Sequence, residues 1–277
     1  MQTFQEFAAS NGVLIDSVIH GKIVRCPTVS KPSKKNGAYY CGDGFYWVQD
    51  WTQHSEPVFL FDKKERTDSE KLEFEHKITK SREEYARNRA KTQQEAASKA
   101  RWILGQCELT EHKYIQRKGF KEHPVNVWQK DDQQLLIVPM YHKNAICGCQ
   151  IISEDGEKKF LSGQRTSGAH FKIGDGKLNI WCEGFATGMA IKKAIDTVKI
   201  NCAVNVCFSA GNMKKMANNG IVVADNDISL CGENIAKEIG LPYFIPKQQG
   251  WDFCDLLQSN GLLRTSQELR KFLMSVK

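Results

Sequence analysis

The chain has 277 residues, 41% of them hydrophobic and 26% charged, and a formal net charge of +7 at pH 7. That length accommodates one large domain or two to three small ones, and that composition builds a core, which excludes a mostly disordered chain. No run approaches the ~20 apolar residues of a membrane span, the segment Met1 to Glu6 lacks the basic and apolar regions of a signal peptide, and no membrane partner is expected.

A short helix is expected from about Thr3 to Ala9. Residues 1–62 then read as a small β-rich module: Pro27, Pro32, Asn36-Gly37 and Gly44 punctuate Tyr39-Tyr40 and Phe45-Tyr46-Trp47, and Asn-Gly between β-prone runs marks a hairpin. From Lys63 to Arg101 there is no Pro or Gly, and sparse apolar residues leave a long, mostly solvated helix, a helical linker over residues 63–105. Residues 106–176 alternate turn signals with short β patterns. Leu135 to Pro139 reads as a strand stopped by its proline, Ala145 to Ile152 as a second strand across a polar turn at Asn144, and Asp155-Gly156 as another hairpin leading to Lys158-Lys159-Phe160. Residues 177–277 alternate strands (Lys177–Cys182, Cys202–Phe208, Gly220–Ala224, Leu241–Ile245) with helices (Ala186–Thr197, Met213–Ala217, Glu233–Ile239). That alternation gives an α/β fold, a parallel sheet with helices on both faces, behind a small mixed β subdomain. Of the ten cysteines several sit within the apolar strand runs, so reduced thiols in a cytoplasmic protein are expected.

In open α/β sheets, ligands bind beyond the carboxyl ends of the strands, and there the carboxylates of the last hundred residues fall. Glu183 follows one strand, with Gly184 to permit a tight turn into the helix; Asp225 and Asp227 follow another; Asp252 and Asp255 follow the last. Hard oxygen ligands without histidine suit Mg²⁺ or Mn²⁺, and crowded carboxylates repel unless a cation compensates them. Acidic residues at strand ends also cap the next helix.

These residues resemble the Toprim domain of bacterial-type DNA primases, closest to the phage and plasmid branch. The resemblance rests on Glu183-Gly184-Phe185-Ala186-Thr187-Gly188, on Val222-Val223-Ala224-Asp225-Asn226-Asp227 and on Asp252-Phe253-Cys254-Asp255. It extends upstream through Tyr114-Ile115-Gln116-Arg117-Lys118-Gly119, Leu136-Ile137-Val138-Pro139 and the hairpin from Gln150 to Gly163, and so covers roughly residues 107–263. The resemblance implies a primase-type N-terminal subdomain over residues 106–176 and a Toprim catalytic domain over 177–277. Its activity would be the synthesis of short RNA primers on single-stranded DNA from NTPs. Glu183 would be the general acid/base, Asp225 and Asp227 would hold Mg²⁺, and Asp252 and Asp255 would bind a further metal or tune the first. Where chromosomal primases carry an Asp in the first motif, this chain has Thr187. Arg117, Lys118, Lys158, Lys159 and Arg165 would serve template and nucleotide phosphates. The loop from Ser209 to Asn212, with Lys214, reads equally as a phosphate cradle or a plain helix cap.

Such primases begin with a zinc ribbon. Here Cys26 and Cys41 stand alone near His20 and His54 and no Cys-x-x-Cys occurs, so zinc is not expected. Cys147 and Cys149 lie two apart in an expected strand, where alternation puts both thiols on one face, packed in a core. The basic run with Lys34 and Lys35 beside Tyr39, Tyr40, Tyr46, Trp47 and Trp51 suits single-stranded nucleic acid, while the same aromatics also suit a small β core. No Gly-rich Walker segment occurs, so the expected replicative helicase is a separate protein in the bacterial host cytoplasm. The rival readings are a Toprim nuclease and a non-catalytic single-stranded-DNA-binding replication accessory protein.

Overall fold

The computed structural model describes residues 3–42, 44–51, 53, 56–62, 67–228 and 230–276; His54 and the expected start of the long helix at Lys63 lie outside them. The chain divides into two compact units, Met1–Arg87 and Asn88–Lys277.

In the first unit, α1 (Phe4–Ser10) starts at a capping box: the Thr3 hydroxyl accepts from the Glu6 N–H and the Glu6 carboxylate from the Thr3 N–H. Strands β1 (Ile23–Cys26), β2 (Gly37–Cys41), β3 (Phe45–Asp50) and β4 (Val58–Phe61) form an antiparallel meander. Strand alternation sends Tyr39, Cys41 and Val48 to the face that Phe7 and Ala8 close into a core. On the other face Tyr40 stacks with Phe45 and Trp47, and Tyr85 meets Trp47 edge-on. The aromatics named above therefore build the module, and Trp51 alone among them is exposed, with the Arg25 guanidinium 4.1 Å above its ring. Cys26 and Cys41 are buried in the first core, and the Cys41 sulfur lies 3.3 Å from His20 Nδ1.

Helix α2 (Asp68–Gly105) begins at a second capping box, Thr67 with Glu70, and the division between the units falls inside it. It buries only Ala96, Ala100 and Ile103, as a solvated helix should.

The second unit holds two sheets. β5 (Glu108–Thr110), β6 (Val125–Lys130), β7 (Gln133–His142), β8 (Ala145–Ile152) and β9 (Lys158–Phe160) pair antiparallel in sequence order, with α3 (Lys113–Arg117) between the first two. Lys143 and Asn144 take φ of 49° and 64°, the left-handed pair a two-residue hairpin turn needs. Two expectations are corrected here. Pro139 does not stop its strand: β7 runs three residues past it, to His142. β6 is registered against β7 only from Gln133 to Leu136, so at Pro139 one flank of β7 has no ladder for a missing N–H to break. Cys147 and Cys149 do not share a face. A bulge at Met140/Tyr141 skips Cys147 in the pairing, which turns Cys147 toward the main core while Cys149 faces the core under Ala100 and Ile103.

The second sheet has the order β10 (Phe171–Ile173), β12 (Cys202–Val206), β11 (Leu178–Cys182), β13 (Ile221–Val223), β14 (Tyr243–Phe244). β11 to β14 are parallel and β10 is antiparallel to β12, so the sheet is mixed rather than wholly parallel. Helices cover both faces: α4 (Phe185–Thr197), α7 (Phe253–Asn260) and α8 (Leu262–Ser275) on the main core, α5 (Ala210–Met216) and α6 (Cys231–Ile239) over Trp181 and Val222. The result is an α/β architecture of mixed sheets and helices. Among the described residues no helix is long and apolar enough to cross a membrane.

Candidate active site

β11 and β13 are parallel neighbours, with Ile180 opposite Ile221, so their carboxyl ends release Glu183 and Asp225 side by side. β14 lies on the far side of β13, and the segment after it delivers Asp252. The groups feel one another. Burial, then the charges of Asp252 and Glu183, push the Asp225 carboxyl up to about 7, against the pull of Lys158. Burial also raises Glu183; Lys158 opposes this, Asp227 adds to it, and a hydrogen bond from the Ala210 backbone opposes it again. Asp225 Oδ1 is buried with no hydrogen-bond partner among the described residues, a costly state for a carboxylate oxygen unless something arrives to meet it.

The loops are fixed by polar groups of their own. Asp227 accepts from the N–H groups of Cys231 (3.1 Å) and Gly232 (2.9 Å), the first turn of α6. Asn226 donates through Nδ2 to the Pro246 carbonyl (2.9 Å) and through its N–H to Trp251 (3.0 Å), while Gly250 N–H donates back to Asn226 (2.6 Å). These bonds hold the approach to Asp252 against the Asp225 loop. Asp252 and Asp255 form the capping box of α7, each carboxylate accepting from the other's N–H. One oxygen of each is thus engaged in starting a helix. Behind Glu183, Phe208 N–H donates to the Glu183 carbonyl (2.8 Å). Phe208 does so at φ 65°, a left-handed conformation that costs a bulky residue about 1–3 kcal/mol.

Gly184 takes ordinary extended angles, φ −98° and ψ 150°, so the turn after β11 does not demand a glycine there. The demanding glycine of that motif is Gly188, where a Cβ would lie 2.6 Å from Val206 Cγ2. Gly232 is tighter still, with the Asp225 carbonyl oxygen 2.3 Å from where its Cβ would be. Thr187 is buried in the first turn of α4.

Of the basic residues singled out in the sequence, Lys158 acts on both Glu183 and Asp225, and Lys118 lies 3.6 Å from Asp255. Burial pulls the Lys118 ammonium down, yet Asp252, Cys254 and Asp255 leave it net raised. Arg117 donates to the Glu154 carbonyl, Lys159 pairs with Glu157 at 2.8 Å, Arg165 donates to the Ser167 carbonyl at 3.0 Å, and Lys214 pairs with Glu238 at 2.6 Å. Lys34 and Lys35 are exposed in the first unit. The Ser209 hydroxyl accepts from Asn212 N–H and caps α5, which favours the helix-cap reading of that loop. The buried Asn212 amide, named in the sequence only as part of that loop, donates to Ala169 and Cys207 and accepts from Gly168, fastening the Arg165–His170 segment to the end of β12. Asn226 is equally invisible in the sequence as a clamp; the signal for it is an Asn in a loop, which bonds nearby backbone.

Among the described residues no three His, Cys, Asp or Glu side chains are drawn together as a metal's ligands would be. The donor chemistry nevertheless fits a hard cation: the orphaned Asp225 oxygen and the mutual repulsion of Asp225, Asp252 and Glu183 are what a divalent ion relieves. A hollow of about 610 Å³ lies elsewhere, between Gly119–His123 and the second half of α4.

No family model matches the chain, and no curated protein matches its sequence. Among solved structures, a chain from the complex of bacteriophage T7 lagging-strand DNA polymerase with the primase domains of two gp4 subunits, an RNA/DNA hybrid and dTTP is similar at a TM-score of 0.40 and 13% identity. The match covers 60% of this chain and 87% of that one. So loose a likeness carries no functional weight.

Proposed function

We propose that this chain is a DNA primase of the phage and plasmid Toprim type, joining NTPs into short RNA primers on single-stranded DNA opened by a separate helicase. The observation that supports this reading is the buried Asp225 carboxylate, with one oxygen unpartnered and its carboxyl held at about 7 among Asp252, Glu183 and Asp227, with Lys158 opposite. Primer extension is an in-line attack of a 3′-hydroxyl on an α-phosphate, with pyrophosphate leaving. Asp225 and Asp227 would hold Mg²⁺ or Mn²⁺, and bound there the ion supplies charge stabilisation to the attacking and leaving oxygens. Glu183, raised by burial, takes the proton of the 3′-hydroxyl. Lys158 meets the triphosphate as a point charge. Asp252 acts through space on Asp225, and Asp255 stays with Lys118 and the α7 cap.

The test is a priming assay with unprimed single-stranded DNA, labelled NTPs and Mg²⁺. Short products that vanish in Glu183→Gln and Asp225→Asn, by about 10²-fold or more, are expected. Full activity in either variant overturns the assignment; shortened input DNA in place of products would make the chain a nuclease, and bound DNA with neither would make it an accessory protein.

A further inference from the structure

Far along α2 from its start, within the second unit, Trp102 is 58% exposed, an unusual position for tryptophan. It is not alone. Its ring meets Trp128 of β6 edge-on, 5.9 Å between centroids at 84°, and the Lys130 ammonium sits 5.8 Å from the Trp128 ring. At 3.6 residues per turn, Lys91, Ser98 and Trp102 share the side of the helix turned away from buried Ala96, Ala100 and Ile103, with Lys99 on one flank and Arg101 on the other. Exposed Glu95 lies on that same side, about one turn from Lys91 and two from Trp102, and is the only acidic residue between Lys91 and Arg101; beyond Lys130, Asp131 and Asp132 close the β6–β7 turn.

We infer that this face is a single-strand-binding surface: the Trp102–Trp128 pair stacks nucleobases while Lys91, Lys99, Arg101 and Lys130 line the phosphate track. The exposed Trp102 indole, backed by the half-buried Trp128 ring and flanked by cations, offers what an unpaired strand needs, because every base has a π-face and every link a charge. An apolar protein partner would leave those ammonium groups stranded under it. The surface extends the proposed function by saying where the strand runs, and it is read by binding alone, without turnover.

The experiment is binding of the full chain to a fluorescently labelled oligodeoxythymidylate, followed by anisotropy at two salt concentrations and by intrinsic tryptophan emission. Trp102→Ala is expected to weaken binding about tenfold, the scale of one lost stacking contact, with Trp102→Phe in between and melting temperatures unchanged. Lys99→Glu with Arg101→Glu should weaken binding further and flatten its salt dependence, and the oligonucleotide should quench wild-type emission. Wild-type affinity in both Trp102→Ala and the double charge variant overturns the proposal, as does a change confined to self-association. An inactive wild type that still binds through Trp102 would sink the primase reading and leave this surface standing; an active primase in which Trp102→Ala and the double charge variant both bind normally would do the reverse.

Discussion

Asp225 links sequence, energetics and chemistry at the residue scale. A carboxyl moved from 3.8 to about 7 in the folded chain stabilises the fold relative to the unfolded state only while protonated. Its relative contribution is full below pH 3.8 and is lost as pH rises to about 7, by roughly 4 kcal/mol without a cation. Asp225→Asn should therefore raise the melting temperature at pH 8 in EDTA and leave it nearly unchanged at pH 4. Mg²⁺ should raise that of the wild type at pH 8 and not that of the variant. Calorimetry over that range checks both, and a variant no more stable than wild type at pH 8 would contradict the buried charge. The carboxylates themselves are legible in the sequence, because strand ends are marked by apolar runs and acids after them stand out. The roles of Asn226 and Phe208 are not, since what they do depends on the loops they meet and on a backbone angle no residue type announces.

The elements show how one pattern of residues serves two purposes. Asp252 and Asp255, which invite reading as metal ligands, are spaced as a helix cap is, and both are used to start α7. Helix α7 escapes the sequence for that reason, its opening signal doubling as a chemical one, whereas α8 opens after Gly261 with no side-chain cap to announce it. The four parallel strands of the α/β half are legible from their apolar runs, whereas the antiparallel β10 is not, and the Cys147 bulge, which reverses a face, arises from pairing and not from alternation. Glycines sort the same way. Ala at Gly184 should be tolerated, since its angles suit any residue and Thr187 Oγ1, 3.3 Å away, can turn aside. Ala at Gly188 forces Val206 aside, which costs about 1–3 kcal/mol. Ala at Gly232 meets backbone, the Asp225 carbonyl, and should both destabilise the fold and abolish the Mg²⁺-dependent shift in melting temperature. Thermal unfolding of the three variants with and without Mg²⁺ discriminates them.

For the molecule as a whole, composition marks a change at Lys63, yet the compact division lies between Arg87 and Asn88, inside α2. Charge-rich helix offers no apolar signal to divide it: Tyr85 belongs to the first unit through Trp47, and Ala96, Ala100 and Ile103 to the second. The second unit has its own cores, so a chain starting at Asn88 should fold with a single cooperative transition and keep the Mg²⁺ response. A molten fragment, broad by calorimetry and lacking near-UV dichroism, would show that the first unit is needed for folding.

Lys158, the cation that opposes the acidic cluster, does not come from the sheet that carries the cluster. It arrives on β9, an edge strand of the antiparallel sheet, registered with β8 at three positions. Outer strands open locally at far less cost than central ones. Each such opening withdraws a positive charge from Glu183 and Asp225 while the parallel strands beneath stay shut, so the hunger of those carboxylates for protons or metal rises and falls with the fraying of a peripheral ribbon. Two chemistries, acidity and strand pairing, are geared together there through one lysine.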